Sequence, residues 1–186
     1  RRVGGIDDVL EIPITPSPKV WGYRARAEWH HDPGTADFGY IAAGTHDVVD
    51  LPEDPFVVPA LAATYAELRK HLAFEPEDGE RREIRAAAGD AGPEAVSLDP
   101  ALLPGTDGAV TSVVGDNRYD YDASCFFQAN PWMLAPMVEE AMRHADPEQD
   151  AGASERLAID LYSGVGLFTL PLARRYGRVI AVEAHP

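Results

Sequence analysis

Leu157-Ala158-Ile159-Asp160-Leu161-Tyr162-Ser163-Gly164-Val165-Gly166-Leu167-Phe168-Thr169, then an amphipathic run, then Val179-Ile180-Ala181-Val182-Glu183, is the stretch that decides the fold. Leu157 to Leu161 is a short apolar run that suits a buried parallel strand. Asp160 stands near its carboxyl end. Gly164 and Gly166 permit a tight turn with no Cβ to obstruct a ligand. A helix should follow, with Leu167, Leu170, Leu172 and Ala173 as its buried positions. Arg178 opens a second apolar strand that closes on Glu183. Strand, glycine turn, helix, strand and acid make half of a nucleotide-binding βαβ unit. In such a unit the turn brings ligand and backbone together, and the acid accepts hydrogen bonds from ribose hydroxyls.

Outward from this unit, Asp146 to Ser154 reads as a polar linker. Ahead of it Asn130 is a good N-cap and Pro131 suits the first helical position, so a helix is expected from Pro131 to about His144. It should bury Leu134, Met137, Val138 and Met142. Farther upstream, strands are expected at Tyr23 to His31, Asp37 to Ala43 and Asp47 to Leu51, joined as an antiparallel meander. Residues 56–72 carry helical periodicity, with Val57, Leu61, Tyr65, Leu68 and Leu72 on one face and Pro59 tolerable in the first turn. Strands at 82–88, 94–98 and 109–114 suggest a second meander. Residues 1–22 read as an extended approach. The fold class expected is an α+β domain over 1–124, followed over 125–186 by the start of an α/β, Rossmann-like domain.

Composition bounds the function. The 186 residues are 45% hydrophobic and 25% charged, ordinary for a globular protein. No apolar run reaches the roughly 18 residues of a membrane span, and no secretory signal is visible. A cytoplasmic location with no membrane partner is the expectation. The single cysteine, Cys125, excludes an internal disulfide framework and a cysteine-ligated cluster within these residues. Net charge is −15, which argues against a generic nucleic-acid binder. A local basic face around Arg24, Arg26, Arg81, Arg82 and Arg85 stays open. His30 and His31 face opposite sides of a strand and are not expected to share a metal.

A lone Gly-x-Gly is weak evidence, because turns need glycine regardless of ligand. Its setting between an apolar strand and a helix, with Asp160 ahead and Glu183 beyond, favours a nucleotide-type ligand. The dinucleotide fingerprint wants glycine where Tyr162 stands, and the tyrosine hinders a pyrophosphate. Asp-x-x-x-Gly-x-Gly better matches methyltransferases that bind S-adenosylmethionine.

Phe126-Phe127-Gln128-Ala129-Asn130, a helix, Asp160 to Leu170 with its glycines, and Val182-Glu183 together resemble the RNA uracil-5-methyltransferase family. Tyr23-Arg24-Ala25-Arg26 and Phe38-Gly39-Tyr40 resemble that family's central domain. The resemblance implies S-adenosylmethionine as cofactor, with no iron–sulfur cluster expected in these residues. It implies methyl transfer to C5 of a uridine in an rRNA or tRNA substrate. Gln128 matches a glutamine beside cofactor and target base, Tyr162 an aromatic lining the cofactor site, and Glu183 the acid that binds the cofactor ribose. Gly164 and Gly166 match its glycine turn. Each has a plainer reading: a loop amide for Gln128, a core tyrosine for Tyr162, a solvated strand end for Glu183. Asn130 matches a family asparagine, and its cap role explains it fully.

The chain departs from the family's pattern in places. Leu167 stands where many members have asparagine, Ser163 where many have a noncatalytic cysteine, and residues 51–55 lack a cluster-binding cysteine. The expected chemistry uses a cysteine thiolate at uracil C6 and a carboxylate base at C5. The resemblance places both beyond Pro186, so no catalytic residue is expected here and the fragment should be inactive alone. Cys125 reads instead as a buried structural thiol. Another class I methyltransferase, or a noncatalytic RNA-binding factor with this fold, remains an alternative. Trp21, Tyr23 and Trp29 interleave with Arg24 and Arg26, either as an RNA-stacking surface or as core and edge packing.

Overall fold

Two-residue alternation drives the first half of the chain into an antiparallel sheet whose apolar face is covered by one helix. The computed structural model describes residues 13–73, 79–90, 95–97, 108–145 and 156–184. Strands β1 (Arg26–Asp32), β2 (Asp37–Ile41), β3 (Val48–Asp50), β4 (Arg82–Ala88) and β5 (Ala95–Ser97) form a five-stranded sheet in the order β3-β2-β1-β4-β5. All its pairings are antiparallel, with Trp29 opposite Ile84 and Glu28 opposite Arg85. The first expected meander is therefore present. The second is not: β4 and β5 join the first sheet, while β6 (Ala109–Val114) pairs with β7 (Asn117–Asp122) as a separate hairpin.

Helix α1 (Pro59–Leu72) lays Leu61, Tyr65, Leu68 and Leu72 on Ala27, Trp29, Phe38, Ile84, Ala86 and Ala88. Trp29, Leu61 and Leu68 are wholly buried. The Phe38 and Tyr65 rings stack at 4.4 Å, and Trp29 meets Tyr65 edge-on at 5.1 Å. Buried polar groups find partners here, as burial requires. The Trp29 indole N–H and the Tyr40 hydroxyl both donate to Asp54 Oδ2, at 2.8 and 2.6 Å, and the Tyr65 hydroxyl donates to the carbonyls of Phe38 and Leu51. Val57, read as part of the helical face, is buried but precedes the helix. It lies in a parallel bridge with Arg24, because residues 22–24 bond to the backbone of 55–58 instead of extending β1.

The other side of the sheet carries the hairpin. Ala87 points away from its neighbours Ala86 and Ala88, as strand alternation demands, and meets Val110 and Ala123. The approach is close: a Cβ on Gly89 would sit 2.2 Å from the Thr111 carbonyl. The Asp90 amide donates to Thr111 and the Asp90 carboxylate receives the Val113 amide, both at 2.7 Å.

Helix α2 (Pro131–His144) has the expected bounds, with Asn130 Oδ1 accepting the Trp132 amide at 3.2 Å. Leu134 and Met142 are buried, and Met137 and Val138 pack at the margins of the same clusters. Strands β8 (Leu157–Leu161) and β9 (Arg178–Val182) are parallel, with α3 (Thr169–Ala173) between them. Three expectations fail in this unit. Strand β8 is buried on one side only: Ala158 and Asp160 face inward, while Leu157, Ile159 and Leu161 are exposed. The helix is a single short turn that buries Pro171 and Leu172, leaving Leu170 and Ala173 exposed. Leu167 lies ahead of it, in a cluster with Tyr119, Phe127 and Leu134. The linker expected at Asp146 to Ser154 lies outside the described residues, as does the approach before Pro13.

Candidate cofactor cleft

The end of β8 turns sharply into the glycine loop. Tyr162 has φ +60°, Gly164 +51° and Gly166 +89°, all in the left-handed region. The loop closes on itself through Gly166 N–H to the Ser163 carbonyl at 2.8 Å. Beneath it, the buried Asp160 carboxylate accepts the Thr169 hydroxyl, tying the loop's two ends together. The Tyr119 hydroxyl, its pKa raised by burial, donates to the Leu167 carbonyl at 3.0 Å and fixes the loop to the hairpin.

Glu183 follows β9 and reaches back to this loop. Its Oε2 accepts the Gly164 amide at 2.8 Å and its Oε1 the Ala184 amide at 2.8 Å. A carboxylate offers about four acceptor positions, so these contacts are compatible with ribose hydroxyls as further donors. Tyr162 is 87% exposed, which removes its reading as a core residue. Tyr162, Gly164 and Glu183 together line a cleft of 610 Å³, whose opposite wall comes from Arg26, Glu28, Arg85 and the 124–126 turn. That volume lies in the range of small-molecule sites, roughly 300–1,000 Å³.

The structure does not bring all the expected residues together. Gly166 shapes the turn and is not on the cleft wall. Gln128 lines a different cavity, of 230 Å³, with Val58, Asp90, Tyr121, Phe127 and Trp132. Arg26 borders both. Cys125 is a correction: it is half-buried in the cleft wall, because the chain leaves β7 in a turn rather than a buried strand. Phe126 beside it is 70% exposed, and only Phe127 enters the core. Sequence reasoning missed Arg26, Glu28, Arg85 and Phe126 as wall residues. For Phe126 the signal was present in its motif, whereas the strand residues reach the cleft only through tertiary packing.

Two arginines of the expected basic face are ion-paired with neighbouring acids. Arg81 pairs with Asp32 at 2.5 Å, and Arg85 pairs with Glu83 at 2.5 Å and Glu28 at 3.3 Å. Trp29 is core, whereas Trp21 is exposed and packs on Phe56 at 5.5 Å. His30 is near Glu28, on the opposite side of β1 from the buried His31. Among the described residues no helix is long and apolar enough to cross a membrane.

No family model matches the chain. Curated relatives do. It is 27% identical over 98% of its length to the 23S rRNA (uracil(1939)-C(5))-methyltransferase RlmD of Methylococcus capsulatus, covering 49% of that protein. It is 29% identical over its whole length to the enzyme of the same name from Edwardsiella ictaluri, covering 48%. The chain thus spans about half the length of the curated relatives it matches. In fold it is similar to the Pyrococcus abyssi tRNA (uracil-54, C5)-methyltransferase solved with S-adenosyl-L-homocysteine, with TM-score 0.69 and 18% identity over 91% of this chain and 51% of that one. The chain is thus similar along nearly its entire length to curated RNA uracil-C5-methyltransferases and shares its fold with the solved one.

Proposed function

We propose that the protein carrying this chain transfers a methyl group from S-adenosylmethionine to C5 of a uridine in RNA, with ribosomal RNA favoured by the activity for which its curated relatives are named. The observation that carries this reading is the Glu183 carboxylate bonded across to the Gly164 amide at the mouth of a 610 Å³ cleft. The donor set suits the ligand. Glu183 accepts from ribose hydroxyls, Tyr162 offers an aromatic wall, and the side-chain-free Gly164 lets the ligand approach the backbone. When bound, the cofactor supplies an electrophilic methyl group. Residues of this chain hold and orient it and shield it from water along the Phe126 and Val165 wall.

Attack at C5 needs a uracil made nucleophilic by thiolate addition at C6, then a base to remove the C5 proton. We assign neither role within these residues and place both beyond Pro186. Gln128 is proposed to act near the target base and not on the cofactor, in keeping with its separate cavity. The division into units at 1–124 and 125–186 belongs to the same proposal, with the 123–129 segment as the seam.

Incubating the parent protein with labelled S-adenosylmethionine and uridine-containing RNA, then digesting, should yield labelled 5-methyluridine. Its absence across ribosomal and transfer RNA overturns the reading. In calorimetry with S-adenosylhomocysteine, Glu183→Ala should weaken binding about 10- to 100-fold, the size expected for losing hydrogen bonds to a charged group.

A further inference from the structure

Arg26 is anchored in a way that its place on a strand does not require. Its guanidinium donates to the Ala123 carbonyl at 2.9 Å and also to the Cys125 carbonyl, almost one hundred residues farther along the chain. The neighbouring Ala25 amide donates to the Ala129 carbonyl at 2.6 Å. Two consecutive residues at the head of β1 therefore grip the 123–129 segment at three carbonyls. The turn is closed from within as well: Asp122 Oδ1 accepts the Ser124 amide and hydroxyl at 2.8 and 2.6 Å. Beyond the turn, the Phe126 carbonyl lies 3.5 Å from where a Cβ on Gly164 would stand. The glycine loop faces this segment across a gap that an added Cβ would fill in ordinary van der Waals contact.

We infer that Arg26 is a positioning residue: it holds the 123–125 turn so that Phe126 forms the wall facing Tyr162 and Glu183. A planar fork with several fixed donors can hold two carbonyls at once, which the single ammonium of lysine does poorly. Burial pulls the Arg26 pKa down, yet arginine stays protonated throughout, so the grip persists across ordinary pH. Two of its five N–H donors are engaged by backbone carbonyls, and through them Arg26 serves the cleft by way of the turn. The consequence for cofactor affinity rests on the cofactor reading above, whereas the grip itself does not.

Cys125 is the one cysteine among these 186 residues, so its alkylation by iodoacetamide, followed on its own peptide by mass spectrometry, reports on the turn without any ligand. Arg26→Lys should speed alkylation about tenfold, as expected for releasing hydrogen bonds made by a charged donor. Amide exchange should rise over 123–128 and 162–166 but not along β4. S-adenosylhomocysteine binding should fall about tenfold, the change in affinity that the same loss implies. Arg26→Gln serves as a second variant, and Arg118→Gln on the exposed hairpin should leave all three readouts unchanged. Wild-type alkylation and exchange in Arg26→Lys overturn the inference. So does faster alkylation with unchanged ligand affinity, because the turn then would not shape the cleft. If the wild type binds no S-adenosylhomocysteine, the cofactor reading fails, and the alkylation and exchange arms still decide the grip.

Discussion

The sheet under α1 and the βαβ unit at β8 and β9 handle their apolar strand residues in opposite ways. In the first, Trp29, Phe38, Ile84 and Ala86 are closed over by one helix, with 2% or less of each exposed. In the second, Leu157, Ile159, Leu161 and Val182 remain 46% to 62% exposed, and the short α3 covers only part of one face. Within the described residues the two regions differ in helix length and amphipathicity. Fourteen residues of α1 present a continuous apolar stripe, whereas five residues of α3 bury Pro171 and Leu172. Function is distributed the other way. Glu183 and Tyr162 belong to the open unit, and the closed sheet contributes to the cleft through Arg26, Glu28 and Arg85. In the proposed reading the well-packed region is a support, and the exposed one presents groups that line the cleft.

That contrast can be broken most directly at its closed end. Trp29→Ala removes the largest fully buried side chain and one donor to Asp54, so denaturation followed by circular dichroism should show a loss of about 3–5 kcal/mol. A loss below 1 kcal/mol would mean that the sheet is not the stability core.

A smaller effect is expected at alkaline pH. Burial raises the Tyr65 pKa from 10.0 to about 12. The unfolded chain sheds this proton near 10 while the folded protein keeps it to about 12, so the tyrosine's contribution is intact below 10 and declines as pH climbs between those values. Tyr40 is shifted in the same direction, by burial first and then by its bond to Asp54. Stability measured over this window should fall with rising pH, and Tyr65→Phe should flatten the slope. An unchanged slope in the variant would assign the alkaline loss to other groups.

The smallest effect tests the open end. Ile159→Ala removes a side chain already 56% exposed, and the expected change is within about 0.5 kcal/mol. A loss of several kcal/mol in the same denaturation experiment would show that this face is covered in solution and would erase the distinction.

Local chemistry explains how much was legible in advance. Asn130 and Pro131 encode a helix start by cap geometry alone, and α2 begins there. The glycine loop and Glu183 were likewise readable from spacing, and the structure joins them by a hydrogen bond. Sheet membership was not readable, because β4 pairs with β1 across more than fifty residues and no local signal names a partner. Strand β7 was hidden by its composition: Asn117-Arg118-Tyr119-Asp120-Tyr121-Asp122 buries only Tyr119 fully and lies in a two-stranded hairpin. The apolar run of β8 suggested burial on both faces, but periodicity does not report what lies opposite a strand. Gln128 and Glu183 share a motif pattern in sequence and different cavities in space, since Phe126 faces the cleft while Phe127 turns into the core between it and Gln128. Net charge was informative in an unexpected way. Arg81 and Arg85 are paired with acids, so RNA binding through them would require exchanging those partners for phosphates.

Tyr162 sets folding and binding against each other at a single backbone position. An L-residue at φ +60° carries a conformational penalty of roughly 1–2 kcal/mol that glycine would escape. Its ring, 87% exposed, recovers little of that through packing. A chain selected only for robustness would discard the tyrosine, so laboratory evolution toward heat resistance, run without a demand for methyl transfer, would be drawn to this codon and would dismantle the aromatic wall first.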